Sequence, residues 1–248
     1  MGDEMIYAKL PLYDEIKNSE ARQKIIEIFN EIEEHAKKID KQIEYLTSVF
    51  ERGLALCFRS KPSKIRSSGY GFIVLRNDGI YRQWYENGHY RSFSLRDKDD
   101  MNRLLDVRDA VIESAKSSQK GLIREVMKMI AEYAEKRLYN SINLEIEVTT
   151  DANYFSKEPQ KRSLEISVKP PYVYFRFSTS SYYHPSINFD SYVDNLYLYP
   201  IYDHAINLLI KTKEATRKRL EDIEEFLKRW DGLIRRIEVM WKFKEGNI

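Results

Sequence analysis

The chain has 248 residues, of which 42% are apolar and 32% charged. That composition belongs to a folded protein with a heavily charged surface, long enough for one large domain or two small ones, and excludes a disordered chain. The formal net charge is +2, so no overall field draws the protein to nucleic acid or membrane, and any such binding needs a local patch.

No apolar run is long enough to span a bilayer. The start Met1-Gly2-Asp3-Glu4 lacks the basic stretch and apolar core of a secretory leader. The single cysteine, Cys57, cannot form an internal disulfide. These features predict a cytoplasmic protein. Glu, Lys, Arg, Ile and Tyr are plentiful while Gln is scarce, a bias shared with thermophile proteins.

Residues 1–18 read as a lead-in. Asn18 or Ser19 can cap a first helix, predicted to run to about Phe58 and to end at Lys61-Pro62-Ser63. Along it Ile25, Phe29, Ile32, Ala36, Ile39, Ile43, Leu46, Phe50, Gly53 and Cys57 are spaced alternately four and three residues apart. This period gives a nearly straight apolar seam that requires a helical partner. Gly53 lies on the seam, where a missing side chain admits a close neighbour.

Three strand-like runs follow, Tyr70–Arg76, Ile80–Tyr85 and His89–Leu95, separated by Asp78-Gly79 and Asn87-Gly88. Both dipeptides signal two-residue hairpin turns. Turns centred there place Arg76 opposite Tyr81 and Trp84 opposite Arg91. One face then carries Ile73, Leu75, Ile80, Trp84, Phe93 and Leu95, interrupted by Arg82 and Arg91. The other carries Phe72, Val74, Arg76, Tyr81, Gln83, Tyr85, Tyr90 and Ser92, which suits a contact face.

Helices are predicted over 99–117 and 120–139, with Asp97, Asp99 and Asp100 capping the first of them. Ile142–Val148 alternates as a strand, 151–161 reads as a polar loop, and Leu164–Val168 with Tyr172–Phe177 forms a hairpin around Pro170-Pro171. The Ser- and Tyr-rich stretch 178–188 reads as a loop, and helices are predicted over 191–211 and 215–243. The last carries a second seam, Leu220, Ile223, Leu227, Trp230, Ile234, Ile237 and Trp241.

The expected fold is α+β: antiparallel hairpins and a meander packed against long, heptad-patterned antiparallel helices. The strands-helix-helix order occurs twice, over 19–140 and 141–248, as in a duplicated unit forming one composite globule. Under a constant offset Leu104 meets Leu198, Asp109 meets Asp203 and Val126 meets Leu220.

No catalytic, metal or cofactor motif is legible. The four histidines, His35, His89, His184 and His204, have no partner at ligand spacing. No glycine-rich turn opens a helix, and no Gly-x-Ser-x-Gly occurs. Glu145 and Glu147, with Asp151, Glu165 and Lys169, are the residues a metal-assisted nuclease would use. Alternating exposed strands produce such pairs without any function.

The leading expectation is therefore a non-catalytic adaptor or structural protein. It would use its seams, with Ile32, Ile39, Ile43 and Leu46 on one helix and Leu227, Trp230, Ile234 and Ile237 on the other, to bind a protein partner or to form a homodimer. The alternative is a nucleic-acid-binding protein. From Arg59 to Arg96 eight basic residues face two acids, a net charge of +6, with tyrosines interleaved. Bases stack on rings and phosphates pair with cations, which makes Arg66, Arg76, Tyr81, Tyr85, Tyr90 and Arg91 the candidate contacts for a single strand. A second basic cluster, Lys211, Lys213, Arg217, Lys218 and Arg219, reads as a solvated helix face balanced by Glu221, Glu224 and Glu225.

Overall fold

The computed structural model describes residues 19–57, 63–66, 71–76, 79–84, 89–115, 117–138, 140–150, 160–179, 189, 193 and 201–244. The chain divides into two compact units, Met1–Asp40 with Ser141–Glu221, and Lys41–Asn140 with Asp222–Ile248. These are not the sequential halves 19–140 and 141–248. The divisions at 40/41 and 221/222 fall inside the two long helices, α1 (Glu20–Cys57) and α5 (Tyr202–Lys244).

The first unit holds strands β5 (Ile142–Thr150), β6 (Gln160–Lys169) and β7 (Tyr172–Thr179), an antiparallel sheet in that order. Ile142, Leu144 and Ile146 pair with Val168, Ile166 and Leu164, which pair in turn with Val173, Phe175 and Phe177. One face is therefore apolar, as the alternation predicts. Leu164, Ile166 and Val168 are buried with Ile25, Phe29, Ile32 and Ala36 of α1 and Ala205, Leu208 and Leu209 of α5. Ser19 caps α1, its Oγ accepting from the Arg22 amide at 3.1 Å.

In this unit Lys213 pairs with Glu31 at 2.5 Å and His35 Nδ1 meets Thr216 Oγ1 at 2.9 Å. Both sequence numbers rise together, so the two helix segments run parallel. Thr216 Oγ1 already donates to the Lys213 carbonyl at 2.9 Å. It therefore accepts from His35, which fixes the proton of the neutral imidazole on Nδ1.

The second unit adds β1 (Ser63–Arg66), β2 (Gly71–Arg76), β3 (Gly79–Trp84) and β4 (Tyr90–Ser92), an antiparallel sheet in chain order. Helices α2 (Lys98–Asp106), α3 (Arg108–Ser114) and α4 (Lys120–Leu138) follow. Ile65, Ile73, Leu75, Ile80, Phe93 and Leu95 share a core with Leu46, Phe50, Tyr133, Phe226 and Trp230. Phe50 stacks on Trp230 with ring centroids 3.8 Å apart. A Cβ on Gly53 would collide with Trp230 and Ile234, so glycine is what lets the helices close there. Gln42 meets Glu224 at 3.3 Å, and with Phe50 meeting Trp230 the segments are again parallel. Helix α4, by contrast, is antiparallel to α5, with Arg229 on Glu132 and Arg236 on Glu125.

The α+β class stands, but the long helix pair is parallel rather than antiparallel. The antiparallel rule holds for helices joined by short connections; α1 and α5 lie at opposite ends of the chain. Their seams are covered by this chain's own residues. Ile32, Ile39, Leu46, Trp230, Ile234 and Ile237 are buried, and Ile43 and Leu227 half-buried.

Other differences have local causes. Helix α5 runs unbroken through 212–214, where no Gly or Pro interrupts it and the Thr212 hydroxyl donates to the Leu208 carbonyl at 2.8 Å. The predicted helix at 99–117 is two, joined at Val107 with φ −99° and ψ 6°; no local sequence feature explains that break. Strand β1 begins at Ser63, the last residue of the predicted helix stop, and continues through Arg66, where no strand was predicted. Among the described residues, no helix is long and apolar enough to cross a membrane.

Two outcomes follow from this packing. Gly53→Val should lower unfolding free energy by about 1–3 kcal/mol through overpacking, read from urea denaturation; an unchanged midpoint would refute the close approach. Burial, helped by Lys38, Lys213 and Arg217 and opposed by Glu31, holds the His35 imidazole below its ordinary 6.5. Its contribution is complete above pH 6.5 and is lost as pH falls through the lowered folded value. Melting temperature should therefore decline below that pH, and His35→Gln should flatten the decline.

Candidate nucleic-acid interface

The four-stranded sheet turns one face to the core of its unit. The register defines what stands on the other. Lys64 pairs with Val74, Val74 with Tyr81, and Tyr81 with Ser92. Beside that row lies a second, Arg66, Phe72, Gln83 and Tyr90. Arg76 stands one level further on, opposite Gly79. Cross-strand partners have Cβ atoms about 4.5–5.5 Å apart and diagonal neighbours about 7–8 Å, so these side chains form one continuous layer.

Both hairpin registers differ by two residues from those implied by turns at Asp78-Gly79 and Asn87-Gly88. Leu75 pairs with Ile80 rather than with Arg82, and Arg82 pairs with Arg91 rather than with Phe93. Gly79 has φ +152° and serves as the first residue of β3, a backbone region that glycine enters freely. A shift of two keeps every described residue on its predicted face, so for these residues the face assignments hold although the pairings do not.

Diagonal contacts organise the layer. Lys64 Nζ lies 4.0 Å from the centroid of the Phe72 ring, and Arg76 Cζ lies 5.1 Å from that of Tyr81. Tyr81 meets Tyr90 edge-on, with centroids 6.3 Å apart. Cations above ring faces are attracted by the ring quadrupole. Tyr90 is 52% exposed, and Lys64 and Arg66 are exposed. Among the described residues this face carries three cations, three aromatic rings and no carboxylate.

Of the six candidate contacts, the sheet brings Arg66, Arg76, Tyr81 and Tyr90 together. Arg91 stands on the opposite face, where its guanidinium reaches Asp97 at 3.0 Å. Tyr85 lies outside the described residues, as do Asp151, His184 and most of the 178–188 stretch. Sequence reasoning left Lys64 off the face because β1 was not expected. The alternation Ser63-Lys64-Ile65-Arg66 was the available signal.

Beneath the sheet, Arg82 forms a buried ion pair with Asp100, which has no solvent exposure. Asp100 Oδ2 also accepts from the Ser94 amide at 3.1 Å. Asp97 caps α2, accepting from the Asp99 and Asp100 amides at 2.9 and 3.1 Å. Partial burial would raise the Asp97 carboxyl, but the hydrogen bond from Arg91 and the Asp99 amide outweigh it and hold the group below its usual range. Arg137 reaches the Leu95 and Arg96 carbonyls, the latter at 2.6 Å. The 94–100 turn is thus held from both sides.

A pocket of about 550 Å³ opens between this turn, the start of β3 and the C-terminal part of α1. Its walls include Glu51, Arg52, Tyr81, Ser92, Ser94 and Arg96.

The second sheet offers less for nuclease chemistry. Glu145 stands opposite Glu165, whose carboxylate takes Arg176 at 3.4 Å, while Glu147 faces Ser163 and Lys169 faces Tyr172. Among the described residues no three His, Cys, Asp or Glu side chains are grouped to hold a metal. No protein-family model matches the sequence, and neither a curated protein nor a solved structure matches it.

Asp100→Asn should destabilise the protein by about 3–5 kcal/mol, because it leaves a charged guanidinium buried. The double change Arg82→Met with Asp100→Leu should recover most of that loss. Equal instability of the single and double variants would show that the pair is not the cause.

Proposed function

We propose that the protein binds single-stranded nucleic acid on the outer face of the four-stranded sheet. The observation that carries this is the layer of Lys64, Arg66 and Arg76 among Phe72, Tyr81 and Tyr90, with no carboxylate among the described residues of the face. Net charge is nearly neutral, so the attraction is local to this layer and fades with salt. Tyr90 is the ring most open to a base. Tyr81 already carries Arg76 on its ring and positions the next unit along the strand. Arg66 and Lys64 take phosphates. The rings favour unpaired bases. The setting is cytoplasmic, in keeping with a single cysteine.

A second reading, an adaptor that binds a protein partner or a second copy of itself, has its own observation. Val239 and Phe243, one turn apart on α5, are exposed, as are Tyr172 and Tyr174 on β7. Aromatic side chains of this kind anchor protein contacts. The seams themselves are occupied within the chain, so this reading rests on the exposed residues instead.

Fluorescence anisotropy with labelled single- and double-stranded DNA and RNA, across a salt series, separates the two. Single strands should bind more tightly than duplexes. Tyr90→Ala should weaken binding by about 1–3 kcal/mol, and Arg66→Gln should reduce the slope of log affinity against log salt by about 0.7. Absence of binding at low salt would overturn the nucleic-acid reading. A concentration-dependent mass, lost in Val239→Asp with Phe243→Asp, would then favour self-association.

A further inference from the structure

The pocket beside the sheet has chemistry that the face alone does not. Arg52 and Arg96, both exposed, line it together with Ser92 and Ser94. Tyr81 belongs to both places: its ring meets Arg76 and Tyr90 in the outer layer, and the residue is among those that line the pocket. Among the described lining residues Glu51 is the only carboxylate. Its volume of about 550 Å³ falls within the roughly 300–1,000 Å³ of small-ligand sites.

The pocket is also built on fixed backbone. Arg52 sits between Phe50, which is buried against Trp230, and Gly53, which is held close to the same side chain. The Arg96 amide donates to Ser94 Oγ at 3.2 Å, and its carbonyl accepts from Arg137. The Asp97 amide closes the turn onto the Ser94 carbonyl at 3.2 Å. Both arginines therefore extend from anchored positions, which lowers the ordering cost of gripping an anion. Two guanidinium forks suit a phosphate monoester better than a diester, since the monoester offers three terminal oxygens and a greater charge.

We propose that this pocket takes a nucleotide bearing a terminal phosphate monoester. The phosphate sits between Arg52 and Arg96, the base lies toward Tyr81, and Glu51 accepts a hydrogen bond from a sugar hydroxyl or a base amino group. A strand laid across Tyr90 and Tyr81 leads to this pocket, so its phosphorylated end is one source of the ligand. A free nucleoside monophosphate is the other. The inference deepens the single-strand reading and, for the first source, rests on it.

The test uses the full chain and fluorescein-labelled twelve-residue single strands carrying a 5′-phosphate, a 3′-phosphate or hydroxyls at both ends. In parallel, unlabelled AMP and UMP are titrated by calorimetry and used as competitors. One phosphorylated strand should bind roughly tenfold or more tightly than the hydroxyl-ended strand. That ratio should fall to about two or less in Arg52→Gln with Arg96→Gln, with circular dichroism confirming that the variant is folded. If AMP or UMP binds and abolishes the preference, the source is a free nucleotide as well. If all three strands bind equally and neither mononucleotide gives heat, the pocket proposal is overturned while the sheet reading stands. If no strand binds, the sheet reading fails, and the mononucleotide titration alone decides the pocket: binding lost in the arginine variant supports it, and no heat overturns it.

Discussion

The buried carboxylate of Asp100 is the constraint from which the candidate interface follows. It lies in the first turn of α2, pairs with Arg82 on the inner side of β3, and accepts from the Ser94 amide. An unpaired charge at this depth is strongly unfavourable, so both partners must be in place together. Arg82 on the inner side fixes which residues of β3 point out, and Tyr81 and Gln83 are its neighbours. Ser94 fixes the turn that carries Arg96. One acid therefore sets both the orientation of the sheet's outer layer and the wall of the adjoining pocket.

A second constraint is steric. Within its unit, the meeting of Gly53 with Trp230 and Ile234 leaves no room for a side chain, and the Phe50 ring lies flat on Trp230. Rigid aromatic packing of this kind holds the C-terminal part of α1 in one register against α5. Thr47 adds a polar tie to the Tyr133 hydroxyl, and Arg137 extends it at 3.3 Å from that hydroxyl to the turn at 95–96. The helix side of the pocket and its turn side are thus linked through one chain of contacts within the unit.

Much of this was readable from the residues. The alternate three- and four-residue spacing marked both seams, and period-two alternation assigned the sheet faces correctly even where the register was off by two. What misled was turn chemistry: Asp78-Gly79 looks like a turn centre, yet Gly79 uses its freedom as the first residue of a strand. The direction of the helix pair was hidden because periodicity says that a helix needs a partner, not which way the partner runs. Asp100 was read as a member of an acidic cap. Asp97 does fill that role, but the pairing of Asp100 with Arg82 depends on how β3 and α2 pack, which no local pattern records. The pocket was invisible for the same reason, since its walls come from α1, β3 and the turn after β4.

The parallel course of α1 and α5 has a consequence for how the protein is made. His35 and Thr216 are separated by 181 positions, and Gln42 and Glu224 by 182. Each compact unit includes a piece of the first helix and a piece of the last. During synthesis neither unit can be completed until Tyr202–Lys244 has left the ribosome. Until then the apolar seam of α1 has no lasting partner. Contacts between such distant positions close slowly, and exposed seams invite aggregation in the interval. Chains cut short before the last helix would lack one wall of both cores.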